Sequence, residues 1–355
     1  MRMLRVKYNK LFVTDNTKIA CIHRQIGRVI MELKGKKVMV VGTGISGIGA
    51  IDLLNKAGAD CIIYDANEKL TEEAVAKKLN GNKAQIIIGE LADDITEKVE
   101  LLVISPGVPV DSPLVKKFEE AGVPVWGEIE LAYNYDKGRI AITGTNGKTT
   151  TTALVGQIVK AYNEQTYVVG NIGNSYTGEV LKTSENSYTV AEISSFQLET
   201  VHRFHPVVSA ILNITPDHLN RHHTMECYAH TKERIAENQT KDDVCVLNME
   251  DEELYRFGSE CKASVVWFSS KRKPDKGAYL DGDDIRYTDG TQDKLMLNIH
   301  DMNLLGTHNY ENVCAAIAMT KAVGIPDDII IEQVKCFKAV EHRIEYVATK
   351  KGVWY

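Results

Sequence analysis

An α/β protein built from two successive parallel-sheet units is predicted by three observations. Short continuous apolar runs alternate with helical patterns along 355 residues, a length for two domains and part of a third. The runs are apolar throughout and not alternating, as strands covered by helices on both faces must be. A glycine-rich turn also follows the first strand of each unit, VVGTGISG at Val40–Gly47 and ITGTNGKTT at Ile142–Thr150. These are the turns of a Rossmann-like domain and of a P-loop ATPase-type domain.

The elements follow in order. KKVMVVG reads as a buried strand, GISGIGAIDLLNKAG as a helix and ADCIIYDAN as a second strand. QIIIGE and ELLVISPG are further strands, and the helix PLVKKFEEAG precedes VPVWGE. The Rossmann-like domain is expected over 35–136, ending at the Asp136–Lys137–Gly138 turn. Strand patterning starts only after Met31, so 1–34 is expected to be a disordered or spurious extension with Met31 as the natural start. The central domain, expected over 137–339 with a mostly parallel sheet, has strands RIAITG, TYVVGN, SYTVAEIS, VVSAILNI, DDVCVLN and SVVWFS. GAYLDGDDIRYTDGTQDKLMLNI alternates and is cut by Asp-Gly turns, the pattern of an antiparallel hairpin or small side sheet. NYENVCAAIAMTKAVG is a helix stopped by Gly324 and Pro326, and DDIIIEQVKCF is another. RIEYVATKKGVWY reads as a hairpin whose second strand is cut off, the start of a third unit over 340–355.

Composition narrows the function. Hydrophobic content of 44% and charged content of 25% are those of an ordinary globular protein. A net charge of −6 with no basic stripe argues against a nucleic-acid partner. The seven cysteines are scattered and contain no Cys-x-x-Cys, which reads as reduced thiols of a cytoplasmic protein, without a disulfide framework or zinc site. No apolar run approaches the ~18 residues that span a bilayer, and the first thirty residues lack the apolar core of a signal peptide.

Two turns carry the chemistry. Between strand and helix, the loop Gly144, Thr145, Asn146, Gly147 can turn its backbone N–H groups toward an anion at the positive end of the helix dipole. Lys148 would reach the terminal phosphates, Thr149 would supply the Mg²⁺ hydroxyl, and Thr150 continues the cradle. The full P-loop pattern places a glycine where this chain has Ile142, so the loop is a short variant. In the first unit Gly42, Gly44 and Gly47 satisfy G-x-G-x-x-G, and Asp65 closes the second strand where a ribose-binding acid would sit. NAD, a UDP-sugar or mere close packing would use the same glycines.

Downstream, Glu192 ends a buried strand, where ligands of open α/β sheets bind. ILNITPDHLNRHHT delivers Asp217, His218, Arg221, His222 and His223 into a loop; His218, directly after the strand, is the preferred candidate. Lone histidines such as His222 and His223 are more often surface residues. Lys232 lies on a helix whose pattern alone reads as a solvated face. Asn171 follows a strand beside a glycine, as a ligand-facing amide would. His308 and Asn309 stand at the mouth of a helix, where capping is the plain explanation for Asn309.

TGTNGKTTT, GNIG, EISSFQLE, NITPDHLNRH, HTKERI, GTHNYEN and EHRIE, in this order, resemble the motifs of the Mur ligases. Those are ATP-dependent amide ligases of peptidoglycan precursor synthesis, in cell-wall biogenesis, and relatives of folylpolyglutamate synthase. VVGTGISGIGA, LLVISPGVP and WGEIELAY look most like the member that adds D-glutamate to a UDP-sugar carrying L-alanine. The resemblance runs from about Lys34 to the C-terminus.

The resemblance implies roles. Lys148 would bind the β/γ-phosphates of ATP, with Thr149 and Glu192 holding one Mg²⁺. His218 and Lys232, the latter as a carbamate, would serve a second. Asn309 would contact adenine and Arg343 the ribose or phosphates. Ile45, Ser46, Asp65, the backbone at Ala66, and Gly107 would line the uracil–diphosphate site, with Asn171 at the muramoyl end. Asn220 departs from the aspartate expected in Asp-His-x-Asp-Arg, which touches local loop hydrogen bonding and not the metal ligand. The protein is expected to act as a monomer. Family members carry a third domain that binds the amino acid and closes over ATP. The chain stops at Tyr355, so that domain is expected to be essentially absent, and the polypeptide to bind nucleotides weakly and not to complete ligation alone. Rival readings are an NAD-dependent oxidoreductase, a non-catalytic nucleotide-binding module, and another Mur-type or folylpolyglutamate-type ligase.

Overall fold

Nearly every apolar run becomes a parallel strand. The computed structural model describes residues 31–136, 139–171 and 174–338, with two short strands, Thr349–Lys350 and Val353–Trp354. That pair is antiparallel and lies within the expected terminal hairpin. Most of the expected N-terminal extension lies outside the described residues. Met31 and Leu33 pack on the fold, Met31 exchanging two 3.0 Å hydrogen bonds with the Asn134 side chain.

The first sheet holds β1 (Lys37–Val41), β2 (Asp60–Asp65), β3 (Gln85–Ile88), β4 (Leu101–Ile104) and β5 (Val125–Gly127). Its order is β3-β2-β1-β4-β5, and every pairing is parallel. The order reverses between β1 and β4, so the turns after these strands flank the crevice where such sheets bind ligands. The second sheet holds β6 (Arg139–Thr143), β7 (Thr166–Gly170), β8 (Tyr188–Glu192), β9 (Val208–Ile211), β10 (Val244–Asn248) and β11 (Ser264–Ser269). It continues through β12 (Gly277–Asp281), β13 (Asp284–Thr288) and β14 (Asp293–Asn298). Its order is β14-β13-β12-β11-β10-β9-β6-β8-β7, parallel except for the last two pairings, β12–β13 and β13–β14. The Asp-Gly segment is therefore no separate side sheet. β12 pairs parallel to β11, so the two hairpin turns extend the main sheet.

One apolar cluster runs across both sheets, from Val38, Leu54 and Trp126 through Ile129 and Tyr133 to Tyr176, Phe204 and Tyr228. The short helix Glu128–Tyr133 is the bridge. It carries two buried carboxylates. Glu128 accepts from Ser46 Oγ at 2.7 Å on the first sheet's side and from Tyr176 N at 2.8 Å on the second's. Burial pushes its carboxyl above the usual range. Glu130, 0% exposed, accepts from the backbone N–H groups of His202, Arg203 and Phe204 and from Arg203 Nε. Glu130→Ala would take their shared acceptor from three backbone N–H groups, of which that of Phe204 is buried, and from Arg203 Nε. It is expected to destabilise the chain by about 3–5 kcal/mol in urea unfolding. A loss under about 1 kcal/mol, the worth of one ordinary hydrogen bond, would contradict this account of the bridge.

Candidate active site

β6 runs through the loop Gly144–Gly147 into the helix Lys148–Tyr162. Gly147 sits at φ +82°, and a Cβ there would lie 2.3 Å from Asn312 Oδ1, so only glycine fits. The loop is clamped from the neighbouring strand end. Asn146 N donates to Asn213 Oδ1 at 2.8 Å, Asn213 Nδ2 returns a bond to Asn146 O at 3.1 Å, and Thr145 N donates to Asn213 O at 2.9 Å. Thr145 Oγ1 also donates to Thr215 O at 3.2 Å. Lys148 Nζ folds over the loop, donating to Gly144 O and Thr145 O, both at 2.9 Å. Thr149 and Thr150 lie buried in the first helical turn.

Lys232 overturns its pattern reading. It is 1% exposed, at the end of the helix Met225–Glu233, and not on a solvated face. Its Nζ donates to Gly144 O at 2.8 Å and stands 4.7 Å from the Tyr228 ring centroid. Two lysine amines thus converge on one loop carbonyl. Burial first, and the Lys148 charge second, push the Lys232 amine down to about 7. An amine so placed exchanges between its free and protonated forms near neutrality, where an ordinary lysine is fully charged.

Glu192 is buried at the end of β8, level with Ile142 of β6. Its Oε1 accepts from Asn171 Nδ2 at 2.9 Å, while its Oε2 is buried with no hydrogen-bond partner among the described residues. Asn171 therefore orients Glu192 and is itself exposed. His218 takes a left-handed backbone, φ +52°, leaving its half-exposed ring against Phe196 at 4.8 Å and 3.4 Å from Asp217. The doubted His222 is instead buried, its Nε2 3.0 Å from Ser195 Oγ, and burial lowers its pKa. His223 stays at the surface.

Asn309 is buried and does not cap the helix Thr307–Ala322, whose N-cap is Gly306. Its Nδ2 donates to Leu305 O at 2.8 Å, and its Oδ1 accepts from Asn312 Nδ2 at 3.3 Å. Asn312 accepts from Thr151 Oγ1 at 3.3 Å, so Asn309 is wired to the helix Lys148–Tyr162. Arg343 lies outside the described residues.

In the first sheet, Asp65 Oδ2 accepts from Thr43 N at 3.1 Å and Thr43 Oγ1 at 2.8 Å, and so shapes the Gly42–Ser46 turn. A Cβ on Gly47 would sit 1.9 Å from Gly42 O, which makes the third glycine a packing requirement. Ile45 is 82% exposed at the start of the helix Ile45–Lys56, and Gly107 lies in the turn after β4.

Asn213, Tyr228 and Asn312 escaped the sequence reading. An asparagine two residues past the end of an apolar strand was the available signal for Asn213.

The donor set fits Mg²⁺. Among the described residues no group of three or more His, Cys, Asp and Glu could hold a metal. A partnerless Glu192 oxygen beside the threonine-lined loop suits an ion that takes one or two protein oxygens and completes its shell with water and phosphate. No described helix is long and apolar enough to cross a membrane.

Residues 36–127 match the Mur ligase MurD-like N-terminal domain and residues 142–320 the Mur ligase middle domain. The chain is 78% identical over 326 residues to the UDP-N-acetylmuramoylalanine–D-glutamate ligase of Lachnospira eligens, covering 92% of this chain and 72% of that protein. It is 51% identical over 327 residues to the enzyme of that name from Lachnoclostridium phytofermentans, with the same two coverages. The fold matches the solved UDP-N-acetylmuramate:L-alanyl-gamma-D-glutamyl-meso-diaminopimelate ligase from Neisseria meningitides, with a TM-score of 0.57, 17% identity, and coverage of 87% of this chain and 100% of that one. It also matches the MurF ligase of Thermotoga maritima, with a TM-score of 0.50, 18% identity, and coverage of 91% and 68%. With both matching domains in order and identity this high, the chain belongs to the MurD-like branch of the ATP-dependent Mur ligases.

Proposed function

We propose that the chain activates the carboxylate of UDP-N-acetylmuramoyl-L-alanine as an acyl phosphate, using ATP held on Gly144–Thr150, for attack by the amine of D-glutamate. The observation that carries this reading is the convergence of Lys148 and Lys232 on Gly144 O beside the strand end that bears the partnerless Glu192 oxygen.

A carboxylate is a poor electrophile, so its hydroxide-equivalent leaving group must first become phosphate. Lys148, at the mouth of the loop, neutralises charge on the β- and γ-phosphates, and the N–H groups at the start of the helix Lys148–Tyr162 hold them in line, since Asn213 already engages those of Thr145 and Asn146. Thr149 and Glu192 would hold one Mg²⁺, and His218 with Lys232 a second; bound Mg²⁺ supplies charge neutralisation for phosphoryl transfer. For its part Lys232 must become an oxygen ligand. Its amine lone pair attacks CO₂, the ammonium proton leaves to solvent, and a carbamate results. Burial beside Lys148 favours the free amine that this step needs. In this reading Ile45, Ser46, Asp65 and Gly107 bind the UDP end of the acceptor, and Asn171 guides its muramoyl end while fixing Glu192. Asn309 and Arg343 take the adenosine. The Rossmann-like unit over 35–136 thus serves the acceptor and the unit over 137–339 serves ATP.

Calorimetric titration of the chain tests the assignment of the two turns. Mg²⁺-ATP and UDP-N-acetylmuramoyl-L-alanine should each bind, without competing. Tight NADH binding together with no response to ATP would sink the ligase reading of both turns.

A further inference from the structure

We infer that Arg221 is a positioning residue that locks the acceptor-binding turn of the first sheet to the His218 loop of the second. The inference rests on the proposed function for the meaning of the two loops, and on the following geometry for the link.

Arg221 belongs to the single turn Leu219–His222, and its backbone N–H donates to His218 O at 2.9 Å. Whatever fixes the Arg221 side chain therefore fixes the backbone of His218. That side chain is 13% exposed. Its Nε and Nη2 grip Glu199 at 3.1 and 2.5 Å, and its guanidinium lies over Phe196 at 5.2 Å. Phe196 in turn packs on the His218 ring at 4.8 Å, so one aromatic ring seats both residues.

The remaining bond crosses to the other sheet. Arg221 Nη2 donates to Val108 O at 2.8 Å. Val108 directly follows Gly107, in a turn closed by Val108 N donating to Ser105 O at 2.9 Å. Ser105 N is held by Val41 O at 3.0 Å, next to the Gly42–Ser46 turn. One guanidinium thus spans the crevice from the metal-bearing loop to the switch point of the first sheet.

Reaction between two separately bound groups needs their spacing held to a fraction of an ångström. The chemistry also requires arginine. A planar fork can grip a carboxylate and a carbonyl in one plane at once, whereas a lysine ammonium is a point charge on a flexible stem. No sequence pattern announces this role, because the partners lie far apart along the chain.

Arg221→Lys in the full chain is the test, since it keeps the charge opposite Glu199. UDP-N-acetylmuramoyl-L-alanine should bind about tenfold more weakly, while ATP affinity stays within about twofold and the melting temperature holds. Unchanged acceptor affinity overturns the inference. So does equal weakening of both ligands with an early melt, which marks a merely structural arginine. Should the lysine variant fail to fold, Arg221→Gln carries the same comparison. A wild-type chain that binds no acceptor would instead sink the proposed function itself.

Discussion

Lys148→Ala is expected to abolish measurable ATP binding and to slow any phosphoryl transfer by about a hundred- to a thousandfold. The physical reason is local. Lys148 starts the helix Lys148–Tyr162 and folds its amine over the loop, so it is the cation placed to meet the terminal phosphates. Its removal does not orphan the loop, because Gly144 O keeps the Lys232 amine at 2.8 Å and Asn213 still clamps Thr145 and Asn146. The variant should therefore fold normally and bind the UDP-linked acceptor as the parent does. Titration with ATP, then with acceptor, separates the two. ATP affinity within a few-fold of the parent would remove Lys148 from the phosphate site.

Lys232→Met is expected to make the chain more stable and inactive. The folded chain holds this amine at about 7, against 10.5 for an ordinary lysine, because burial and Lys148 both oppose its charge. Between these two values the unfolded chain binds the proton and the folded chain does not, so stability rises as pH rises through the window. Below about 7 both states are charged, and the folded one bears the full penalty of a buried ammonium. Methionine fills the same volume without that penalty. The expected gain is about 2–4 kcal/mol at neutral pH in bicarbonate-free buffer, with a flatter profile from neutral to alkaline pH. Urea unfolding across that range measures it. A less stable variant, or an unchanged slope, would contradict the burial argument. In ¹³C-bicarbonate the parent should show a carbamate carbonyl resonance that the variant lacks. The same resonance in both would place the carbamate elsewhere.

The sequence made the fold legible where a single physical cause dominated. Strands such as Val208–Ile211, fully buried, and Val244–Asn248, buried beyond its first residue, read as apolar runs because both sheet faces are covered. The helix Glu72–Leu79 buries only Val75 and Leu79, and so leaves little apolar period to detect. The Asp-Gly hairpins were recognisable, but nothing local says that β12 joins β11 in parallel, because pairing is a long-range choice. The same contrast holds at the candidate site. The phosphate loop is contiguous and carries its own signature. Lys232 misleads because its helix is polar; Tyr228 lies one turn back on that helix, but the partner of the amine, Gly144 O, is remote in sequence. His222 likewise gains its environment from Ser195 and Glu199, and Asn213 its role from Asn146. Polar residues buried by tertiary partners are the ones that a one-dimensional pattern cannot place.

The central claim is that this loop delivers the γ-phosphoryl group of ATP to the acceptor's carboxylate and not to water. The direct measurement uses UDP-N-acetylmuramoyl-L-alanine labelled with ¹⁸O in its carboxylate, with Mg²⁺-ATP, the chain at stoichiometric concentration and hydroxylamine in excess as the amine that attacks the acyl carbon. Inorganic phosphate is then analysed by mass spectrometry. An acyl phosphate leaves its bridging oxygen with phosphorus when it breaks down by attack at carbon, so the account predicts ¹⁸O in the phosphate, dependent on Lys148. Phosphate that forms without the label, or no phosphate at all, would contradict it.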